Sequence, residues 1–176
     1  GGCGHGGTCL GLDCDCPADD FDQESPNDTA ASASDLGDTP DAPDTEMILE
    51  ALSIHSDSDT DWYTFYAEDG WDFGNPHLTI ELESNAWDLD DNSRYELTVW
   101  LDCAFGDSND SECLQGTVSG ETTHGVGCTD DGAYATVELK SYCGGTTDES
   151  AVGLIRVRKT RRYGRCDNYE LKLSVQ

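Results

Sequence analysis

The chain has 176 residues, with 37 Asp and Glu against 9 Lys and Arg, for a formal net charge of −28. That length fits one domain and an arm rather than two cores. A field of that sign repels phosphate backbones and anionic lipid headgroups, which argues against nucleic acid and membrane surfaces as partners.

Nine cysteines without a CxxCH or a paired CxxC motif indicate an oxidising compartment rather than a reduced cytosol. The chain opens at Gly1 with no charged, then apolar, leader pattern, which reads as a mature exported product. No apolar run approaches the roughly 20 residues of a membrane-spanning helix. Lysine is confined to Lys140, Lys159 and Lys172 while Asp abounds. This balance suits a surface hydrated in high salt, and equally a chain whose Asp side chains serve as metal ligands and turn residues.

Residues 1–23 are rich in Gly, Cys and Asp with almost nothing apolar to bury, so they read as an arm. Its Cys3, Cys9, Cys14 and Cys16, with His5, match no structural zinc spacing, and the oxidising compartment favours disulfides among them. Residues 24–45 form an acidic connector, with one short helical turn expected around Ala30 to Leu36. Within it, Glu24, Asn27 and Asp28 place three oxygen donors just ahead of the main fold.

From residue 46 the pattern changes to period 2, the signature of half-buried strands. Met47–Ile54 is a less regular strand. Next, Asp57, Asp59 and Asp61 alternate directly into the aromatic strand 62–67. Calcium takes six to eight oxygens, and two acidic segments brought together by the fold can supply them. An EF-hand is excluded, because Trp62 stands where that loop needs Gly and the following residues are a strand. Further alternation marks strands at 78–82, 95–101, 137–139 and 169–175, and 152–157 is a second less regular strand, together an antiparallel sandwich with very little helix.

The segment from Asp102 to Cys128 reads as a long polar loop carrying Cys103, Cys113 and Cys128, ordered by disulfides; local pairing joins Cys103 to Cys113 and Cys128 to Cys143. Cys166 is then left to join the arm or a neighbouring molecule, because the count is odd. Six of the nine basic residues, Arg156, Arg158, Lys159, Arg161, Arg162 and Arg165, fall in one run. They either neutralise the chain's own acids or meet the acidic surface of another copy, a contact that can propagate into a filament. Trp71, Trp87 and Trp100 suit a sugar platform or, as is commoner for Trp in a sandwich, a core or sheet-surface position. Asn27-Asp-Thr and Asn109-Asp-Ser are glycosylation sequons.

The run ESPNDTAASASDL, a strand, the motif D-x-D-x-D-W-Y-x-F and a closing Y-x-L-x-V strand at Tyr169 to Val175 resemble bacterial pre-peptidase C-terminal domains. They also resemble the related collagen-binding domains of clostridial collagenases. The resemblance spans residues 24–176 and implies a jelly-roll-like β-sandwich, accessory to secreted enzymes, with calcium where the linker meets the sheet. It carries Glu24, Asn27 and Asp28 over as linker ligands and Asp59 and Asp61 as loop ligands, with Asp57 as an additional candidate. The cysteine-rich arm and loops and the basic run depart from the family's pattern.

His5, His55, His77 and His124 lie in unrelated contexts and no G-x-S-x-G occurs, so no enzyme is expected. These readings converge on an all-β, secreted, calcium-dependent module with an arm (1–23), a connector (24–45) and a sandwich (46–176). Its expected role is structural or adhesive, through contacts with other copies, as in an extracellular filament joined by the arm, or with an extracellular polymer. The alternative is a targeting module that binds protein or polysaccharide for a secreted hydrolase.

Overall fold

The computed structural model describes residues 8–10, 13–15, 17–24, 26–40, 45–56, 58–68, 75–84, 95–105, 109–121, 123–143, 149–160 and 168–176. Among them are thirteen strands, β1 to β13, one five-residue helix α1 (Asp20–Glu24) and a 3-10 turn at Ala30–Ser32. Eleven of the strands make two sheets packed face to face. One sheet has the order β3-β5-β12-β7-β10-β9, from Ser34–Pro40, Asp61–Glu68, Ala151–Lys159, Tyr95–Cys103, Gly127–Gly132 and Thr117–Val118. The other has the order β4-β13-β6-β11-β8, from Glu46–Ser53, Asn168–Val175, His77–Ser84, Tyr134–Cys143 and Asn109–Gln115. The fold is therefore an all-β sandwich. Every pairing is antiparallel except β3 on β5, which is parallel.

Alternation in the sequence becomes alternation in burial. Along β13, Tyr169, Leu171, Leu173 and Val175 face the interior while Glu170, Lys172 and Ser174 face outward. Their inward row meets Tyr63 and Phe65 of β5, Ile155 and Val157 of β12, and Leu97 and Val99 of β7 in one continuous core. Successive side chains on a strand point to opposite faces, so each antiparallel strand buries one polarity and solvates the other. Gly153 is an inward position of β12 left bare for Phe65: a Cβ there would stand 2.0 Å from the ring.

All seven strands expected from alternation are present. Six others were not expected, and three of these lie where a connector or a loop was read, because their pairing is made by backbone groups rather than by an apolar stripe. The connector residues Ser34–Pro40 form edge strand β3, and the expected helical turn at 30–36 shrinks to Ala30–Ser32. The polar segment after Asp102 contains β8 and β9 before β10 begins at Gly127.

The cysteine pairing also differs from the local one. Cys103 bonds to Cys143 and Cys113 to Cys128. Each bridge joins one sheet to the other, β7 to β11 and β10 to β8, so both act as cross-sheet staples. Proximity in sequence misleads here because the fold brings strands of opposite sheets within disulfide reach, Cα–Cα 5.5 Å in both cases. In the arm, β1 (Thr8–Leu10) and β2 (Asp13–Asp15) form a hairpin whose backbone register sets Cys9 opposite Cys14. Cys3, Cys16 and Cys166 lie outside the described residues, as do Trp71 and Trp87.

Candidate metal centre

The arm does not run unattached up to residue 23. Pro17 to Gln23 packs on the sandwich through a helix whose start the sequence spells out. Asp19 caps α1, its Oδ1 accepting the Phe21 N–H at 2.9 Å and the Asp22 N–H at 3.3 Å. Its Oδ2 accepts the Ser53 N–H at 2.9 Å, and the Ser53 hydroxyl donates back to the Pro17 carbonyl at 2.8 Å. Phe21 meets the edge of the Tyr63 ring, centroids 5.3 Å apart. These contacts bring Asp19 and Asp22, both buried, to the end of β4.

Asn27 fixes the next stretch of chain. Its carbonyl accepts the Trp62 N–H and its side-chain amide donates to the Trp62 carbonyl, both at 3.0 Å, so it clips the start of β5 from both sides. Asp61 opens β5 and receives a short hydrogen bond from the Tyr169 hydroxyl on Oδ2; Tyr169 in turn meets the Tyr63 hydroxyl at 3.0 Å. Asp59 accepts the His55 N–H on Oδ2 at 2.5 Å. The His55 ring stands between two carboxylates, Nδ1 being 2.8 Å from Asp59 Oδ2 and 3.0 Å from Asp22 Oδ2.

One oxygen or nitrogen of each side chain is thus held by the protein, and the other is left over. Asp22 Oδ1, Asn27 Oδ1, Asp59 Oδ1 and Asp61 Oδ1 are all buried with no hydrogen-bond partner among the described residues. A buried polar atom without a partner is costly, and three of these four sit on carboxylates that lie close together. Ligand atoms of Asp19, Asp22 and Asp61 lie within 4.8 Å of one another, as do those of Asp22, His55 and Asp59, with Asp22 shared.

The electrostatics agree with the geometry. Burial pushes the Asp61 carboxyl up to about 9, aided by the charges of Asp59, Asp19 and Asp22 and opposed by the Tyr169 hydrogen bond. Burial likewise raises Asp59 to about 6, with Asp22 adding to it and the His55 N–H resisting. Asp22 is raised by burial first and by Asp19 second. Burial also drives the Tyr169 and Tyr63 hydroxyls upward, so both stay protonated as donors. Carboxylates crowded this way resist ionising together unless positive charge joins them.

The donor set fits a hard divalent cation. Carboxylate and amide oxygens at 6–8 coordination are what calcium takes, whereas structural zinc draws on Cys and His. His55 Nδ1 is turned to the Oδ2 atoms, so it orients two carboxylates and leaves their Oδ1 atoms free, the part an outer-shell residue plays at a metal site.

Of the expected ligands, Asn27, Asp59 and Asp61 come together here. Asp28 is exposed yet close enough to act on Asp59. Asp57 lies outside the described residues, and so does the side chain of Glu24. Asp19, Asp22 and His55 were not expected. The run PADDFD does carry a signal for the first two, an Asp cap three residues before a second Asp with an apolar Phe between them.

The basic run is engaged within the molecule where it is described. Arg156 meets Glu121 at 2.5 Å and Glu96 at 3.1 Å and lies over the stacked rings of Trp62 and Trp100; Arg158 meets Glu96 at 2.7 Å. Lys159 donates to the Ile54 carbonyl at 3.0 Å. Arg161, Arg162 and Arg165 lie outside the described residues. Trp100 is buried at 1 % exposure on the outer face of β7, covered by Trp62, His124 and Arg156, which leaves it no open ring face to serve as a platform.

Comparison with family models, with curated proteins and with solved structures finds no match for this chain. Among the described residues no helix is long and apolar enough to cross a membrane.

Proposed function

We propose that this chain is a non-catalytic, extracellular calcium-binding β-sandwich module with a structural or adhesive role, in which the ion fastens the segment 17–27 to the sandwich. One observation carries the reading: buried oxygens without hydrogen-bond partners on Asp22, Asn27, Asp59 and Asp61, where ligand atoms of Asp22 lie within 4.8 Å of those of Asp59 in one group and of Asp61 in another. Asp22, Asn27, Asp59 and Asp61 would hold the ion, with Asp19 beside them and His55 and Tyr169 orienting the set. The ion supplies the positive charge that lets these carboxylates ionise together. The burial of Asp22, Asn27, Asp59 and Asp61 favours a structural role over a catalytic one. The position, where an N-terminal segment meets the sheet, is what the resemblance to pre-peptidase C-terminal domains implies. Two staples between the sheets suit an oxidising, extracellular setting.

The test is a pair of melting curves, one with calcium and one with a chelator. Binding to the folded state alone stabilises by RT ln(1 + [L]/Kd), about 2.7 kcal/mol at a hundredfold excess over Kd. Calcium is expected to raise the melting temperature and magnesium to raise it less, because magnesium keeps its waters and demands stricter geometry. Superimposable curves with calcium and with chelator would overturn the reading. Native mass by light scattering then separates self-assembly from a monomeric targeting module.

A further inference from the structure

We propose that the Cys113–Cys128 bridge is a latch for edge strand β8, and that a dithiol reductant opens it and exposes the edge of β11 to β8 of a second copy of this chain. The inference is independent of the calcium reading. Strands at the other long edges are anchored by apolar side chains: β4 buries Leu52 and packs Met47 and Leu49 on the core, and β3 packs Leu36 there. Strand β8 has no such anchor. Of its described side chains, Glu112, Leu114 and Gln115 are exposed, leaving Ser111 and Cys113 to face the interior. Ser111 donates to the Leu101 carbonyl at 3.0 Å. Cys113 is joined to Cys128 of β10, which is fully buried.

Beyond these, β8 is held by the backbone ladder to β11, from Glu138 to Cys143, which a register shift between Glu138 and Leu139 interrupts, by the Tyr142 hydroxyl donating to Glu112 at 3.0 Å on the exposed face and by a long Ser111–Ser141 contact at 3.5 Å. Gly116, with φ +102, follows the strand and gives the chain a pivot that a side chain would strain.

The chemistry balances as a thiol–disulfide exchange. A thiolate of the dithiol attacks Sγ of Cys113, the more exposed sulfur, and the Cys128 thiolate leaves and takes up a proton. The second thiol of the reductant then displaces Cys113 as a thiol and closes into a cyclic disulfide. Two electrons and two protons pass to the protein. With the bridge open, β8 separates, and those N–H and C=O groups of β11 between Glu138 and Cys143 that were bonded to β8 lose their partners, while the Ser141 and Cys143 N–H groups stay bonded to Pro76 and Asn75. The sequence already fitted to that edge, in register and polarity, is β8 itself, and exchange of an identical element between copies is a low-cost route to a dimer.

The experiment uses the full chain carrying Cys113→Ser and Cys128→Ser, with Cys103–Cys143 intact, in salt sufficient to screen the acidic surface. Hydrogen exchange at residues 111–115 and 138–143 is expected to accelerate about tenfold or more over the oxidised protein, while β5, β7 and β12 keep their protection. Light scattering is expected to find a dimer that grows with protein concentration. Unchanged protection of β8 overturns the latch, and a freed β8 in a chain that stays monomeric at every concentration overturns the exchange. Where the double variant loses protection throughout, the native protein is reduced stepwise with dithiothreitol and its thiols are alkylated. Labelling of Cys113 and Cys128 ahead of Cys103 and Cys143, together with dimer, supports the proposal; labelling of all four at once, or without dimer, overturns it.

Discussion

Asp61 separates a metal ligand from a structural carboxylate at the scale of a single residue. Without a cation, burial holds it protonated at neutral pH, and asparagine is close to that form in shape and charge. Asp61→Asn should therefore change the chelated protein's stability by less than about 1 kcal/mol, roughly 3 °C at this size, while lowering calcium affinity by about tenfold to a hundredfold. Melting curves and calorimetric titration read the two effects separately; collapse of the chelated variant would mean that Asp61 acts only through Tyr169. The raised pKa values also fix a sign. In chelator, the folded chain keeps protons on Asp22, Asp59 and Asp61 that the unfolded chain releases near about pH 4, so stability falls as pH rises through about 6 and on towards about 9. Saturating calcium should flatten that fall, since it replaces the protons. A chelated protein that melts higher at pH 8 than at pH 5 would contradict it. Asp59 and Asp61 were legible as candidates because alternating carboxylates lead into an obvious strand, and Asn27 because it is one of three oxygen donors in the connector just ahead of the fold. Asp19 and Asp22 were not, because a segment with one aromatic residue looks too polar to dock, and it docks through caps and carboxylates around Phe21.

At the scale of elements, legibility follows where each strand's stability comes from. Strands such as β6 and β13 bury a full apolar stripe, and that stripe is written at period 2 in the sequence. By contrast β3, SDLGDTP, and β8, NDSECLQ, are edges paired by backbone groups, with one apolar contact or one sulfur apiece facing in. Backbone pairing leaves no trace in side-chain type, and four cysteines admit three connectivities, so neither these strands nor the bridges could be read in advance. The packing between β12 and β5 gives a sharp test. Gly153→Ala sets a methyl against the Phe65 ring, with contacts of 2.0 to 2.7 Å before relaxation, and should destabilise by about 1–3 kcal/mol. Adding Phe65→Leu should recover part of that loss. Denaturant midpoints check both, and an unchanged midpoint for the single variant would show that β12 shifts freely away from β5.

For the whole molecule, the excess of acid and the centre beneath it belong together: a chain of net charge −28 that gathers four carboxylates at one end of its sandwich meets less repulsion when a divalent ion sits among them. The centre is also assembled from distant parts of the chain. Asp22 and His55 are 33 residues apart, Asn27 and Trp62 are 35 apart, and the hydroxyl that orients Asp61 comes from Tyr169, 108 residues onward in β13, between β4 and β6 of the second sheet. Contacts that span so much sequence close late, after the strands that carry them have paired. Calcium should then act on the exit from the native state rather than on the approach to it. Stopped-flow measurements are expected to show the unfolding rate dropping by the full factor by which calcium stabilises the protein, with the refolding rate unchanged. Refolding that quickens with calcium would instead place the centre among the first structures to form. On the expected behaviour, an exported copy that meets calcium only outside the cell folds without the ion and is then locked by it, its lifetime set by its surroundings rather than by its folding.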